Sequence, residues 1–344
     1  MTSREMQNRR LLTDLFSGRP SRHAVIIDPP GIDFGIPTDY SIPGTPLRDW
    51  LPIKLRAYEE MLNWSEKIGD DSVPYVRMTT NTAFFASAFG CAIRPCLDSL
   101  PCAVPMVRTA EEADALPMPD LNAPSLSRFF EMAEMVREAV GPEVPIGVPD
   151  IQSAFDIAAL VWNKEEMFVA MHESPDAVKR LADKCQALLK RFFDEFRGRF
   201  PENNPCHCPT AWAPPELGCW LSEDEAGSLS TPMFEEFCLP YLIDLSESYG
   251  GLTMHSCAAA DHQYASFNKI PNLRGLNRVF QAPGPLPAIR AFSGKTVLIL
   301  WASEADVNAL LDMAQSDTRF LFNIPNMPFD DARRLHDRLR TRIG

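Results

Sequence analysis

The alternation of short apolar strands with amphipathic helices constrains this chain more than any other feature. From residue 251 onward, strands are predicted at 251–257, 273–277, 296–301 and 319–324, each followed by a helix after a brief connection. A helix between two such strands returns the chain to the same edge, so the strands run parallel in one sheet. This part of the chain is therefore predicted to consist of β/α units.

The earlier part of the chain continues the same pattern at a looser spacing. Four further strands are predicted at 24–28, 74–80, 144–150 and 205–212, each followed by at least one helix. Eight β/α units in one run favour an α/β fold of the (β/α)8 (TIM) barrel type over an open doubly wound sheet. No G-x-G-x-x-G motif follows the first strand, which gives no support to dinucleotide binding.

Segments outside these units complete the predicted architecture. Residues 5–17 predict an amphipathic helix before the first strand, which is an N-terminal helical extension. Residues 29–46 are rich in proline and glycine, and 91–121 in proline and cysteine, so we expect long early loops with a hairpin in the second. No linker divides the chain, and residues 1–344 are predicted to form a single domain.

The last two helices are predicted at 304–315 and 329–342. Their apolar residues recur at helical spacing, so one face of each helix is expected to pack against the barrel. The residues on these faces are Val307, Leu310, Leu311, Leu335 and Leu339.

Composition limits the classes of partner. Hydrophobic residues make up 45% and charged residues 23% of the chain, and the formal net charge is −13, which argues against a nucleic-acid surface. No apolar run approaches the ~20 residues of a membrane span, and the N-terminus has no apolar signal segment. The nine cysteines form no disulfide framework and fit reduced thiols. We expect a cytoplasmic monomer or homodimer that binds a small molecule, without a nucleic-acid or membrane partner.

A histidine and a cysteine lie two residues apart at the end of the 251–257 strand. Alternate residues of a strand share a face, so His255 and Cys257 should project together beyond its carboxyl end. An imidazole and a thiolate are half of a tetrahedral zinc site, although a buried cysteine beside a core histidine is the alternative. A helix is predicted from residue 261, and its N-terminus should favour the Cys257 thiolate. We predict both residues to be catalytic.

Polar and aromatic residues lie near the carboxyl ends of the other predicted strands. In a (β/α)8 barrel these ends form the active site. The candidate substrate-binding residues are Asp28, Asp150, Trp212, Asn277, Trp301 and Asn323. The two tryptophans are flat apolar walls of a pocket or, equally, part of the barrel packing.

An ordered set of short segments resembles the uroporphyrinogen decarboxylase superfamily. These segments are 10–20 (RLLTDLFSGRP), 88–90 with 98–99, 223–230 running into 234–241, 254–257 (MHSC) and 324–328 (IPNMP). The resemblance implies a (β/α)8 barrel with one of two chemistries. These are decarboxylation in porphyrin biosynthesis and zinc-dependent transfer of methyl groups between corrinoids and thiols.

The chain departs from the decarboxylase branch in two places. That branch has an arginine-rich loop after its first strand, where residues 29–37 here contain no arginine and offer Asp33. It also has a late histidine, where residues 323–326 here read Asn-Ile-Pro-Asn. A substrate with eight carboxylates requires cationic partners, so we do not expect decarboxylation of uroporphyrinogen.

The methyltransferase branch holds zinc with a histidine, a cysteine two residues later and a second cysteine after the last strand. His255 and Cys257 match the first two positions, whereas Phe322 or Asn323 occupies the third. Another residue at the mouth would have to replace the missing ligand. The first candidates are Cys219, Glu223 and Asp224, ahead of His207 and Cys208.

The resemblance and the residues together predict a metal-assisted methyltransferase. The expected cofactor is zinc, and the expected methyl donor is a corrinoid carried by a partner protein. Two alternatives remain open. One is a decarboxylase-type lyase, acting on uroporphyrinogen or, without metal, on another small acid; the other is a barrel that binds a small molecule without turnover.

Overall fold

The computed structural model describes residues 2–30, 40–44, 46–94, 101–280 and 283–343. Its strands are β1 Ala24–Ile27, β2 Ala92–Arg94, β3 Cys102–Val104, β4 Ile146–Gly147, β5 Asn203–Asn204, β6 Cys219–Ser222, β7 Leu252–Ser256, β8 Leu273–Arg278, β9 Val297–Trp301 and β10 Arg319–Ile324. Its helices in the first half are α1 Ser3–Ser17, α2 Leu47–Ile68, α3 Phe84–Ala88, α4 Ala110–Ala115, α5 Pro124–Val140, α6 Ala154–Val161, α7 Lys164–Glu173 and α8 Pro175–Arg199. In the second half they are α9 Thr231–Phe237, α10 Leu239–Tyr249, α11 Tyr264–Phe267, α12 Leu286–Phe292, α13 Glu304–Met313 and α14 Phe329–Ile343.

The parallel strands close into a barrel, as predicted. Six of them form one sheet in the order β1-β10-β9-β8-β7-β6, and β4 pairs with β5. Parallel bridges join Gln152 to Ser222 and Val76 to Ile146. The N–H of Asp71 donates to the carbonyl of Val25 in β1 at 2.9 Å, which links the two ends of this series.

Alternate residues of the strands point into the barrel. Ile26, Trp220, Ile299 and Leu321 form an inner apolar cluster. Leu12, Leu15 and Phe16 of α1 belong to the same cluster, so the N-terminal extension closes the amino end of the barrel. The opposite, carboxyl end is left for the side chains that follow the strands.

The segment predicted as a strand at 74–80 contributes only the bridge at Val76. The reason lies in two buried acids just before it. The Asp71 carboxylate accepts the N–H of Val25 at 2.9 Å, and the Asp70 carboxylate accepts that of Ile27 at 2.8 Å. Because these carboxylates occupy donors of β1, a regular ladder does not form here.

The strand predicted at 205–212 was also wrong in its position. The chain pairs earlier, in β5, and later, in β6, with an irregular segment containing Pro205, Pro209 and Pro214 between them. Proline has no N–H to donate to a ladder. The Asn204 side chain stabilises this excursion by donating to the carbonyl of Ala211 at 2.7 Å and accepting the N–H of Cys206 at 3.2 Å.

Other predictions about the architecture were closer. The expected hairpin is present as the antiparallel pair β2 and β3. Four of the five apolar residues assigned to the inner faces of α13 and α14 are buried, and Leu311 is partly buried at the margin.

Residues 31–37 of the arginine-free loop and the 98–99 segment lie outside the described residues. In the described ranges, none of the helices is both long and apolar enough to cross a membrane.

Candidate functional site

His255 and Cys257 meet at the carboxyl end of the barrel. His255 is the fourth residue of β7, and Cys257 follows the last residue of that strand. The Nε2 atom of His255 lies 2.9 Å from the Sγ atom of Cys257. The imidazole is 4% exposed, whereas Cys257 is exposed, so a molecule entering the mouth reaches the sulfur first.

Asn277 in the neighbouring strand β8 orients this imidazole. His255 and Asn277 are partners in the register of β7 and β8, and Nδ1 of His255 lies 2.5 Å from Oδ1 of Asn277. The Nδ2 group of Asn277 donates to the carbonyl of Ile299 at 2.8 Å, which assigns Oδ1 as the acceptor. A neutral His255 therefore carries its proton on Nδ1, and its Nε2 lone pair faces Cys257.

Asp224 adds a third side chain that could coordinate a metal to His255 and Cys257. It follows β6, and its Oδ1 atom accepts the N–H of Cys257 at 2.6 Å. Ligand atoms of Asp224, His255 and Cys257 lie within 4.8 Å of one another. Carboxylate, imidazole and thiolate are all zinc ligands, and three protein ligands leave a fourth position open, as catalytic zinc sites require. The residues present thus fit the metal that the resemblance implies.

Two of the other candidate metal ligands do not reach this cluster. Cys219 begins β6, pairs with Leu252 at the amino end of β7, and its thiol faces the carbonyl of Gly251 at 3.9 Å. Glu223 is fully buried beside Asp156, and only its backbone N–H bonds to His255, at the carbonyl oxygen. Asp224, one residue further along, brings its carboxylate to His255 and Cys257 where Glu223 does not.

Buried acids lie directly behind this cluster. Burial and the nearby Glu223 carboxylate raise the pKa of Asp156 well above its usual range. Burial also raises the pKa of Glu223 to about 7. The two carboxylates that directly follow β6 therefore differ in environment: Glu223 is shielded from solvent, whereas Asp224 is open to the mouth.

The expectation that the chain's own residues favour a Cys257 thiolate was wrong. Partial burial, followed by the carboxylates of Asp224 and Asp150, raises the pKa of the Cys257 thiol to about 11. The nearby element at 261–263 is a 3₁₀ turn rather than the start of a long helix. Burial is the largest cause of the raised pKa, and the two carboxylates add to it where no long helix begins.

A second polar cluster lies at the ends of β1 and β10. Burial raises the pKa of Asp28 to about 6, against the opposing effects of Arg77 and of hydrogen bonds from Asn323 and Thr210. Arg77 donates from Nη1 to the Thr210 hydroxyl at 3.2 Å, and Nδ2 of Asn323 donates to the carbonyl of Thr210 at 3.0 Å. The predicted residues Asp28 and Asn323 therefore lie together, at the opposite edge of β9 from His255.

Of the remaining predicted mouth residues, Trp301 and Asp150 lie at the mouth and Trp212 does not. Trp301 is 40% exposed, and its ring centroid lies 5.8 Å from that of His255, so it forms a wall beside the imidazole. Asp150 is half-buried and accepts from the Gln152 amide at 2.5 Å. The prediction that Trp212 binds substrate was wrong. Trp212 lies in the inner apolar cluster, and the Arg9 guanidinium is 5.2 Å from its ring centre, so the ring packs against α1.

The segment before Trp212 contributes two further residues near the mouth. His207 is buried, and its Nε2 atom lies 3.0 Å from the Ser222 hydroxyl; burial lowers its pKa well below the usual range. Burial and the Asp150 carboxylate raise the pKa of the Cys208 thiol to about 12, and Cys257 and Asp224 act in the same direction. His207 and Cys208 thus add buried and half-buried polar groups close to the metal-ligand set.

Sequence reasoning did not find Asp156, Arg77 or Thr210. Asp156 resembles an ordinary acid in the first turn of α6, where Ser153 is the N-cap. Arg77 and Thr210 lie in segments without regular pairing, so no strand end marked them as mouth residues. In the sequence, only the run of three acids at 223–225 marked this part of the chain as a candidate site. It did not show that Asp224 alone of the three faces the mouth.

Comparisons with known proteins agree with this architecture. A family model described as uroporphyrinogen decarboxylase (URO-D) matches residues 73–198, which end within α8 and before the metal-ligand set. A solved methyltransferase from Methanosarcina mazei is 14% identical with a TM-score of 0.67, covering 97% of this chain and 99% of that chain. No curated protein sequence matches the chain. The chain thus shares its fold with this methyltransferase, and the match over residues 73–198 confirms the predicted resemblance to the uroporphyrinogen decarboxylase superfamily.

Proposed function

We propose that this chain is a metal-dependent methyltransferase that uses zinc at Asp224, His255 and Cys257. The observation that carries the proposal is the convergence of three different donor atoms within 4.8 Å at the carboxyl end of the barrel. The proposed reaction moves a methyl group from a corrinoid, carried by a partner protein, to a small thiol.

The chain's own residues prepare this site in two ways. Asn277 keeps the Nε2 lone pair of His255 directed at the ligand position. Asp224 and Cys257 add two negative charges when the thiol is ionised, which balance a divalent cation. Zinc bound there would lower the pKa of an acceptor thiol, so that a thiolate forms near neutral pH. In the proposed transfer the thiolate attacks the methyl carbon, and the S–C bond forms as the Co–C bond of the corrinoid breaks and leaves its electron pair on the cobalt.

Trp301 gives the proposed site an apolar wall. Its exposed face stands at the rim of the mouth, next to His255. A large flat ring system such as a corrinoid would bury part of this surface and bring its methyl group towards the ligand set. Such contact favours transfer by holding the two reactants at close range.

The proposal is tested by metal content and by methyl transfer in the same protein preparation. We expect about one zinc per chain and transfer of the methyl group from methylcobalamin to a small thiol, followed by the visible absorbance of the cobalamin. His255→Ala and Asp224→Asn should lose both properties, while Cys102→Ser, which changes a cysteine in β3, should keep them. A wild-type protein that transfers methyl groups equally well after complete removal of metal would contradict the proposal.

One observation favours a lyase as the second candidate function. The carboxyl of Asp28, with a pKa of about 6, lies close to the Arg77 guanidinium. An acid of this strength next to a cation suits protonation of the carbanion left by decarboxylation of a small acid. Release of CO2 that persists without metal and disappears in Asp28→Asn would favour this function; coproporphyrinogen formation from uroporphyrinogen would identify the porphyrin substrate.

A further inference from the structure

Asp156 holds the backbone of the turn that presents Asp224. Its carboxylate accepts the N–H of Asp224 at 2.8 Å and that of Glu225 at 3.0 Å. Asp156 is buried in the first turn of α6, where its own N–H donates to the Ser153 hydroxyl at 3.0 Å. Both carboxylate oxygens are therefore engaged with the two peptide units that set the direction of the Asp224 side chain.

The start of α6 is itself attached to the barrel on both sides of this turn. The N–H of Ser153 donates to the carbonyl of Ser222, and the N–H of Ser222 donates to that of Ile151, each at 2.8 Å. The N–H of Glu223 donates to the carbonyl of His255 at 2.9 Å. The turn is thus fixed between α6 and β7, and Asp156 is its attachment on the α6 side.

Asp224 transmits this position to the ligand set. Its Oδ1 atom accepts the N–H of Cys257, so the carboxylate is bound both through its backbone, by Asp156, and through its side chain, by Cys257. Asp224 therefore lies between Asp156 and the backbone of Cys257 in this series of contacts. Hydrogen bonds of 2.8 Å, to the Asp224 N–H, and 2.6 Å, from the Cys257 N–H, thus connect Asp156 to the backbone of Cys257.

We infer that Asp156 is a positioning residue, which acts through Asp224 to hold the carboxylate in the ligand set. This inference rests on the proposed metal site but concerns a residue that touches neither metal nor substrate. Hydrogen-bonded partners of metal ligands raise metal affinity because the ligand is already oriented before the metal arrives. These contacts are made by the chain's own residues, so the positioning can be measured without added metal.

The first test is hydrogen exchange of the Cys257 backbone amide in the metal-free protein. Asp156→Asn replaces one of two acceptor oxygens by an NH2 group, which cannot accept an N–H. We expect the Cys257 amide to exchange about tenfold faster or more, because its acceptor Asp224 is displaced. Asp71→Asn is the control: Asp71 also accepts a backbone N–H, that of Val25, and should leave the Cys257 amide unchanged.

The second test is Co²⁺ affinity, followed by the visible absorbance of the bound ion. We expect Asp156→Asn to weaken binding about 10- to 100-fold, and to add nothing in a chain that already carries Asp224→Asn. A purely structural role would instead lower stability and give additive effects. If Asp156→Asn does not fold, Asp156→Glu moves the carboxylate by one methylene and is expected to act in the same direction.

The outcomes separate the inference from the proposed function. Unchanged exchange of the Cys257 amide in Asp156→Asn or Asp156→Glu overturns the positioning role, and so do additive effects on Co²⁺ affinity. Faster exchange of the Cys257 amide in Asp156→Asn, together with a wild-type protein that binds no Co²⁺, would support the positioning role while removing the metal-dependent function.

Discussion

The Oδ1 atom of Asn277 lies 2.5 Å from Nδ1 of His255, and this contact decides which imidazole nitrogen faces Cys257. The Asn277 amide cannot turn around freely, because its Nδ2 group is bonded to the carbonyl of Ile299. Replacement of Asn277 by Leu should therefore weaken metal binding about 10- to 100-fold, whereas Asp at this position retains an acceptor for the Nδ1 proton. Titration with Co²⁺ measures both variants; equal affinities for Leu and Asp would show that the tautomer is set elsewhere.

Alkylation of Cys257 should be slow at neutral pH in the metal-free protein. The pKa of about 11 leaves little thiolate at pH 8, and the rate should continue to rise as pH increases towards 11. Asp224→Asn removes a negative charge and should speed the reaction at pH 8. Iodoacetamide labelling with peptide mass analysis measures this rate, and a plateau below pH 9 would contradict the assigned environment.

Metal affinity should increase with pH for the same reason. Metal binding requires the Cys257 thiolate and releases its proton, so affinity should rise about tenfold per pH unit between pH 7 and 10. The sign follows from the raised pKa, because protons compete with metal until the pH exceeds about 11. Competition with a chelator of known pH dependence measures how metal affinity changes with pH. Cys257→Ser is the matched control, and its affinity should not depend on pH.

Asp28→Asn should change stability in a pH-dependent way. The folded-state pKa of about 6 is above the ordinary value of 3.8, so the wild type loses stability as the pH rises through this interval. Asn does not titrate, so the variant should gain on the wild type between pH 4 and pH 8 by on the order of 2 kcal/mol. Urea unfolding at pH 4 and pH 8 measures the difference in unfolding free energy between the variant and the wild type, and Asp330→Asn, at an exposed position, serves as control. A stability gain of Asp28→Asn that is smaller at pH 8 than at pH 4 would contradict a raised pKa for Asp28.

The inner faces of the last helices can be tested with a matched pair of leucines. Leu339 in α14 is 1% exposed, and Leu339→Ala should cost about 2–5 kcal/mol of unfolding free energy, as large-to-small core changes do. Leu311 in α13 is only partly buried, and Leu311→Ala should cost less. Denaturant unfolding compares the two, and a larger loss for Leu311 would mean that α13 is rotated on the barrel.

The amino-acid sequence alone determined the barrel and the pairing of His255 with Cys257. Strand and helix periodicity are local properties, and the i, i+2 spacing in a strand places two side chains on one face whatever surrounds them. The buried faces of α13 and α14 followed from the same periodicity. Where the backbone pairs irregularly, as at 74–80 and 205–214, local pattern failed because Asp70, Asp71 and Asn204 took over hydrogen bonds that a ladder would use.

Only the tertiary structure decided which acid joins the pair and how the sulfur is charged. Glu223, Asp224 and Glu225 are consecutive acids, and the bonds from Asp156 to the turn select Asp224 for the mouth. Trp212 and Trp301 are each the last residue of a predicted strand, yet one packs on α1 and the other borders His255. Such choices depend on contacts between residues far apart in the chain, and burial and charge at one point arise from all of them together.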